Sequence, residues 1–186
     1  MKIVKITILY FVKILINISS IFGNKNIITR IRVMFLTFLR IKANGNIFID
    51  YGFDCYAPQN ISFGKNVSLG HYNKIWAFDK VTIGNYVQTA IGLTIIAGSH
   101  ENDTYEPKKN QQVMIGDGCW IGANVTILGG VMIGKGCIVG AGSVVNKNMP
   151  DFSIVAGVPA KVIKSREPAQ KVLNPFGWYD ISELDK

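Results

Sequence analysis

The chain is short of the residues that metal and thiol chemistry draw on. Its 186 residues include two histidines, His71 and His100, and three cysteines, Cys55, Cys119 and Cys137. The cysteines show no metal-ligand spacing and no disulfide framework, so they read as buried free thiols in a reducing cytoplasm. Two histidines, with no His-rich segment, fall short of a three-histidine zinc site, and no metal is expected. Long apolar runs are missing as well. Lys13 breaks the first candidate before the ~18 residues that a spanning helix needs. The same lysine, with no clear small-x-small site after it, argues against a cleaved signal peptide.

Acidic residues are absent from one whole stretch. Residues 1–49 hold eight basic side chains (Lys2, Lys5, Lys13, Lys25, Arg30, Arg32, Arg40 and Lys42) and no acidic one, while the rest of the chain carries twelve of each sign. The net charge of +8 therefore belongs to the N-terminal segment, which is also the most apolar part of the chain. At the helical period, Lys2, Lys5, Lys13, Asn17 and Ser20 fall in one thin stripe and aliphatic and aromatic residues fill the rest. Residues 27–41 repeat the theme with Arg30, Arg32 and Arg40 among Met34, Phe35, Leu36, Phe38 and Leu39. Two readings stay open for residues 1–46: a helical anchor on an anionic membrane surface, in contact through residues 1–43, or a helical cap on the end of the domain that follows. Basic residues set in so much aliphatic surface make no phosphate-tracking groove, which excludes nucleic acid as a partner.

What the chain has in abundance is a period of six. An aliphatic residue returns at Ile115, Ile121, Ile127, Ile133, Val139 and Val145, and the fourth residue after each of the first five is small or slim: Cys119, Val125, Val131, Cys137, Ser143. Glycine follows the aliphatic residue at Gly116, Gly122, Gly134 and Gly140, where the backbone must turn sharply or lie close to a neighbour. Earlier turns are looser, with Phe63, Leu69 and Ile75, then a two-residue slip to Ile83. A short fixed period of this kind marks a solenoid of stacked strand-and-turn rungs. It covers roughly residues 47–150, broken once at about 97–112. His100 stands where the repeat breaks, in a polar loop leaving a rigid scaffold, which is where catalytic side chains tend to sit.

Residues 113–164, VMIGDGCWIGANVTILGGVMIGKGCIVGAGSVVNKNMPDFSIVAGVPAKVIK, resemble the C-terminal coils of the hexapeptide-repeat O-acetyltransferases that act on galactosides, maltose, antibiotics and bacterial surface polysaccharides. The resemblance implies an all-β fold: a left-handed parallel β-helix over residues 47–164, preceded by the helical segment and followed by a short tail, 165–186. The left hand comes from the resemblance alone, since the general crossover preference is the opposite. It also implies acetyl-CoA as cosubstrate, a homotrimer with sites at subunit boundaries, and a saccharide acceptor.

By the same resemblance His100 is the general base, upstream of the motif Trp120, Ile121, Gly122, Ala123. The backbone N–H of Ala123 is the oxyanion donor, one coil from the base. Trp120, Ala123, Ala141, Asn146, Lys147, Lys161 and Lys164 match the donor-binding positions. His71, Tyr72 and Asn73 stand near where the family places an acceptor-contacting Asn, a position that is Gly70 here. The acidic partner that orients the base in some members comes from their N-terminal region. Here that region has none, and Asp79, Glu101, Asp103 or a backbone carbonyl remain for the role.

The leading function is thus acetyl transfer to a sugar hydroxyl of a capsule, O-antigen or exopolysaccharide precursor, in the cytoplasm and beside its membrane face. The alternative is N-acetylation of a nucleotide-linked amino sugar, which the same imidazole would serve. A metal hydratase of the γ-carbonic anhydrase kind lacks its histidines. A non-catalytic scaffold needs neither the Trp-Ile-Gly-Ala motif nor the basic C-terminal positions.

Overall fold

The computed structural model describes Phe11, Val12, Ile14, Leu15, Ile18, residues 34–167, and the backbone of residues 171–174 and 177–180. Strands of two or three residues separated by tight corners coil into a triangular prism. Sheet A stacks β1 (Lys42–Ala43), β4 (Ile61–Phe63), β7 (Val81–Ile83), β10 (Val113–Ile115) and β13 (Met132–Ile133). Sheet B stacks β2 (Ile47–Ile49), β5 (Val67–Leu69), β8 (Gln88–Thr89), β11 (Trp120–Ile121), β14 (Ile138–Val139) and β16 (Ser153–Gly157). Sheet C stacks β3 (Asp54–Tyr56), β6 (Lys74–Trp76), β9 (Thr94–Ile96), β12 (Thr126–Leu128) and β15 (Val144–Val145). All of these pair in parallel, each strand with its counterpart one coil away. The coil begins at Lys42, where β1 joins sheet A, rather than at residue 47. It ends as β17 (Ala160–Ser165) turns back antiparallel along β16, and β18 (Lys171–Asn174) and β19 (Gly177–Asp180) form a separate hairpin in the tail.

Side-chain alternation explains the six-residue period. Successive strand residues point to opposite faces, so each rung sends an aliphatic residue and a slim one into the prism. Ile115, Ile121, Ile127, Ile133, Val139 and Val145 are all buried, as are Cys119, Val125, Val131, Cys137 and Ser143. The three-residue strands of sheets A and B bury both ends, with the middle residue exposed in β7 and β10, half-buried in β2 and β4 and buried in β5. Sheet C does the reverse in β3 and β6, leaving both Asp54 and Tyr56, and both Lys74 and Trp76, in solvent.

The motif glycines serve close approach rather than a turn. A Cβ on Gly116 would come within 2.6 Å of the Lys135 backbone nitrogen in the next coil, and one on Gly122 within 2.6 Å of the Ala141 nitrogen. The turning positions lie two residues further on, at Gly118 and Gly136 among others, where φ is positive.

The irregularities of the repeat fall on one edge of the prism, where sheet C passes to sheet A. Residues 57–60 and 77–80 make that corner in the first two coils, residues 97–112 in the third, and only 129–130 in the fourth. The two-residue slip before Ile83 and the long break at His100 are therefore variations at a single place.

At the N-terminal end, Val12, Leu36, Leu39 and Ile41 are buried in the same core cluster as the coils. Phe11, Ile14, Ile18, Met34 and Phe38 remain exposed on the same segment. No helix among the described residues is long and apolar enough to cross a membrane. Lys2, Lys5, Lys13, Asn17, Ser20, Lys25, Arg30 and Arg32 lie outside the described residues.

Because the Gly116 site is backed by main chain and not by a movable side chain, Gly116→Ala is expected to lower stability by about 1–3 kcal/mol. Denaturant unfolding of the two proteins measures it, and an unchanged midpoint would show that the coils tolerate wider spacing.

Candidate active site

His100 is held on a loop that folds back on itself. Ser99 accepts from the Lys108 N–H at 2.8 Å, Glu106 accepts from the Glu101 N–H at 2.8 Å, and His100 bridges Pro107. The segment 97–112 is thus an ordered flap at the C-to-A edge, and it closes over a cavity of about 460 Å³ with His100 in its wall. Trp76, Phe78, Ile96 and Lys108 line the same cavity. Asp79 also lines it, but its carboxylate accepts the N–H of Lys80 (2.7 Å) and of Gln111 (2.9 Å), tying the far end of the flap to the corner of the preceding coil. Glu101 and Asp103 lie exposed on the flap. Among the described residues no carboxylate pairs with the His100 ring, so of the three acidic candidates Asp79 alone shares its cavity.

The histidine that does meet an acid is the other one. His71 Nδ1 lies 3.2 Å from Asp50 Oδ2, just past the acid-free stretch. Tyr72 stands beside it, edge-on to Tyr51 at 5.8 Å between ring centroids. Asn73, expected with them at the acceptor, faces the opposite way. It is fully buried, its Oδ1 accepts the Leu93 N–H at 2.8 Å, and its Nδ2 donates to Thr89 Oγ1. An amide used at both ends inside the prism is structural, and Asn73 leaves the acceptor set.

The motif residues occupy sheet B and its edge with sheet C. Trp120 points outward, as its place after the inward Cys119 requires, and is 55% exposed. It lies in register with Gln88 and Ile138, and the row continues through Ile154 to Lys164. Two residues beyond the register Leu69, Thr89, Ile121, Val139, the edge carries His71, Ile91, Ala123 and Ala141, stacked by corner hydrogen bonds such as Gly142 N–H to Ala123 O at 2.8 Å. Among the described residues no acceptor takes the N–H of Ala123 or Ala141, and both are reachable by solvent. Lys161 and Lys164 are exposed at the end of this strip, on β17. Asn146 and Lys147 follow β15 and so stand on the other edge, the one that carries His100.

His100 and Ala123 are thus one coil apart along the axis, as β9 pairs with β12, but on opposite edges of sheet C. One chain does not bring them together. The donor stands one coil from the base along the axis, with sheet C between the two in a single chain. Cys119 takes no part. Its hydrogen bond with Cys137 first, and its burial second, push the thiol well above its ordinary value, and its Sγ donates to Gly134 O.

Sequence reasoning missed Trp76, Phe78 and Lys108. Their signal was the slip at residues 77–80, which shares its edge with the His100 flap. It also missed Asp50, which no motif marks.

Residues 112–147 match the family described as bacterial transferase hexapeptide (six repeats). Galactoside O-acetyltransferase of Escherichia coli K12 is 36% identical over 58% of this chain and 58% of its own length. WbbJ of the same organism, which carries the name of a lipopolysaccharide biosynthesis O-acetyl transferase, is 33% identical over 60% of this chain and 63% of its own. The chain spans between 30% and 63% of the length of the curated relatives it matches. A maltose O-acetyltransferase from Clostridium difficile superposes with a TM-score of 0.73 at 27% identity, covering 89% of each chain. In its repeat and in its left-handed parallel β-helix, the chain is similar to the hexapeptide-repeat acetyltransferases.

Proposed function

We propose that the protein transfers the acetyl group of acetyl-CoA to a hydroxyl of a saccharide, a precursor of a bacterial surface polysaccharide, as a homotrimer. The observation that carries this reading is the division of the chemistry between two edges of one prism. One edge holds an imidazole over a cavity, and the other holds an unused main-chain donor beside an exposed Trp and lysines. A neighbour that sets its Ala123 edge against this chain's His100 edge completes the site. Galactoside O-acetyltransferase and WbbJ, by their names, support acetyl transfer to sugars and lipopolysaccharide.

The steps follow from what a hydroxyl requires. Its pKa is too high for unaided attack on a thioester, so neutral His100 takes the proton as the sugar oxygen bonds to the acetyl carbon. The carbonyl oxygen becomes an oxyanion and meets the neighbour's Ala123 N–H, a donor already aimed and in need of no reorganisation. Collapse expels the CoA thiolate, which takes the proton back from the imidazolium. In this assembly Trp120, Ala141, Lys161 and Lys164 form one wall of the donor groove, and Asn146 and Lys147 the facing one. Deprotonation of an amine acceptor would use the same imidazole, which keeps N-acetylation of an amino sugar as the alternative.

His100→Ala is expected to lower turnover by ~10²–10⁴-fold, measured as CoA thiol release with a saccharide panel. His71→Ala, on the far edge, tests the competing Asp50–His71 pair, and loss with that variant alone would transfer the base role to it.

Mixing two inactive chains tests the shared site. Ala123→Pro removes the donor N–H, and co-refolding it with His100→Ala is expected to restore part of the activity in mixed trimers, each of which holds one intact site of three. A mixture as inactive as its components, in oligomers confirmed to be mixed, would place the whole site in one chain.

The N-terminal segment fits both of its roles at once. Val12, Leu36, Leu39 and Ile41 lie in the core of the coil, while Phe11, Ile14, Ile18, Met34 and Phe38 are exposed, in the stretch of sequence that carries the whole net charge. On an anionic cytoplasmic leaflet each basic residue contributes about 1 kcal/mol before screening, and apolar insertion adds to it. Full-length protein is expected to sediment with anionic liposomes. Ile14→Glu with Phe38→Glu is expected to stop this without unfolding the coil, because both side chains are already in solvent. Protein that stays in the supernatant at low salt would remove the membrane from the account.

A further inference from the structure

The outer face of sheet C carries two rows that the proposed chemistry leaves unused. Tyr56, Trp76 and Ile96 are in register on adjacent coils, and Asp54, Lys74 and Thr94 run parallel to them two residues earlier on the same strands. Tyr56 is 56% exposed and Trp76 45%. At the edge, Phe78 packs against Tyr56 at 5.0 Å between ring centroids and lies over Gly98, whose Cβ would meet its ring at 2.8 Å. Trp76, Phe78 and Ile96 also line the His100 cavity. The aromatic row is therefore a surface strip with one end inside the site.

This pattern is costly for a soluble face unless it has an occupant, since exposed apolar area in a contiguous patch marks a binding surface. The chemistry of the occupant can be read from the pairing. A lipid or an apolar peptide would match the ring row and strand the parallel row of carboxylate, ammonium and hydroxyl against it. A pyranose carries both characters. Its C–H face packs on an aromatic face, and its equatorial hydroxyls project sideways to hydrogen-bonding groups. Rungs spaced about 4.8 Å apart repeat the pair along the axis, so the strip is longer than one ring needs.

We infer that the outer face of sheet C is a subsite for an extended saccharide, in which Tyr56, Trp76 and Phe78 stack successive sugar rings and deliver the terminal one to His100. This rests on the reading of the protein as a saccharide acetyltransferase and adds that its acceptor is an oligomer, held beyond the reacting sugar. Tyr56 and Trp76 then determine which chain length is accepted.

The test uses the full chain and an immobilised panel of bacterial polysaccharide fragments, from single sugars to longer oligomers. Wild-type protein is expected to retain oligomers over the single sugars of the same composition. Tyr56→Ala and Trp76→Ala should each weaken that retention by about tenfold, the scale of one aromatic contact, while Tyr56→Phe and Trp76→Phe restore most of it. The inference is overturned by retention that ignores chain length, by retention that survives both alanine variants, or by no retention of any fragment. A drop in oligomer mass in the alanine variants would also overturn it, because it would mean that a second copy of the chain covers the face. Fragments that bind through the strip but never receive acetyl from acetyl-CoA would defeat the transferase reading and leave the saccharide subsite standing. Acetylation independent of the strip would do the reverse.

Discussion

Everything in this molecule depends on main chain stacking directly on main chain. Each strand of two or three residues is too short to hold a partner by itself, and each is secured because neighbouring coils place their own strands within hydrogen-bond reach. That spacing leaves no room for a side chain where one corner crosses the next, which is why Gly116 and Gly122 face backbone atoms 2.6 Å from where a Cβ would stand. It also fixes what the interior accepts, one aliphatic and one slim side chain per rung. The same lattice sets functional geometry, since residues one coil apart are held in register with no freedom to drift.

A lattice this strict confines variation to its corners, and the chain uses one corner for nearly all of it. The passage from sheet C to sheet A is four residues at 57–60 and 77–80, becomes the His100 flap at 97–112, and shrinks again at 129–130. Asp79 links the flap's far end at Gln111 to the corner beneath it, so the flap is anchored at its base while its tip stays exposed. The opposite edge, with His71, Ala123 and Ala141, is regular and offers main-chain donors. A variable edge that supplies side chains and a regular edge that supplies backbone suit the two halves of a transfer reaction, one facing a particular acceptor and the other a constant donor.

The prism and its interior were legible in the sequence because the period alone dictates which side chains point inward: from Ile115 to Val145 each aliphatic position is buried. His100 at the break was legible for the same reason, a loop being conspicuous against a strict repeat. The looser early coils were harder. Asn73 reads as a polar residue near a candidate acceptor site, and only the strand register shows that its amide satisfies Thr89 and Leu93 inside the prism. Trp76 and Tyr56 were invisible as a pair because they are twenty positions apart in the chain and become neighbours only through the coil length. Asp50 paired with His71 for the same geometric reason. The separation of His100 from Ala123 could not be seen either, because a linear motif carries order along the chain and not the edge of the prism on which each residue emerges.

The reversal of β17 has a consequence for how such molecules meet one another. A parallel solenoid ends in strands with one side unpaired, a template on which another solenoid could continue the same stack indefinitely. At sheet B the chain itself occupies that side, running antiparallel to β16 with a register shift between Ile154 and Val155, a geometry that the next parallel coil cannot copy. Continuation of sheet B along the axis is thereby blocked by the chain itself, which leaves the flanks of the prism as the faces on which another copy could pack.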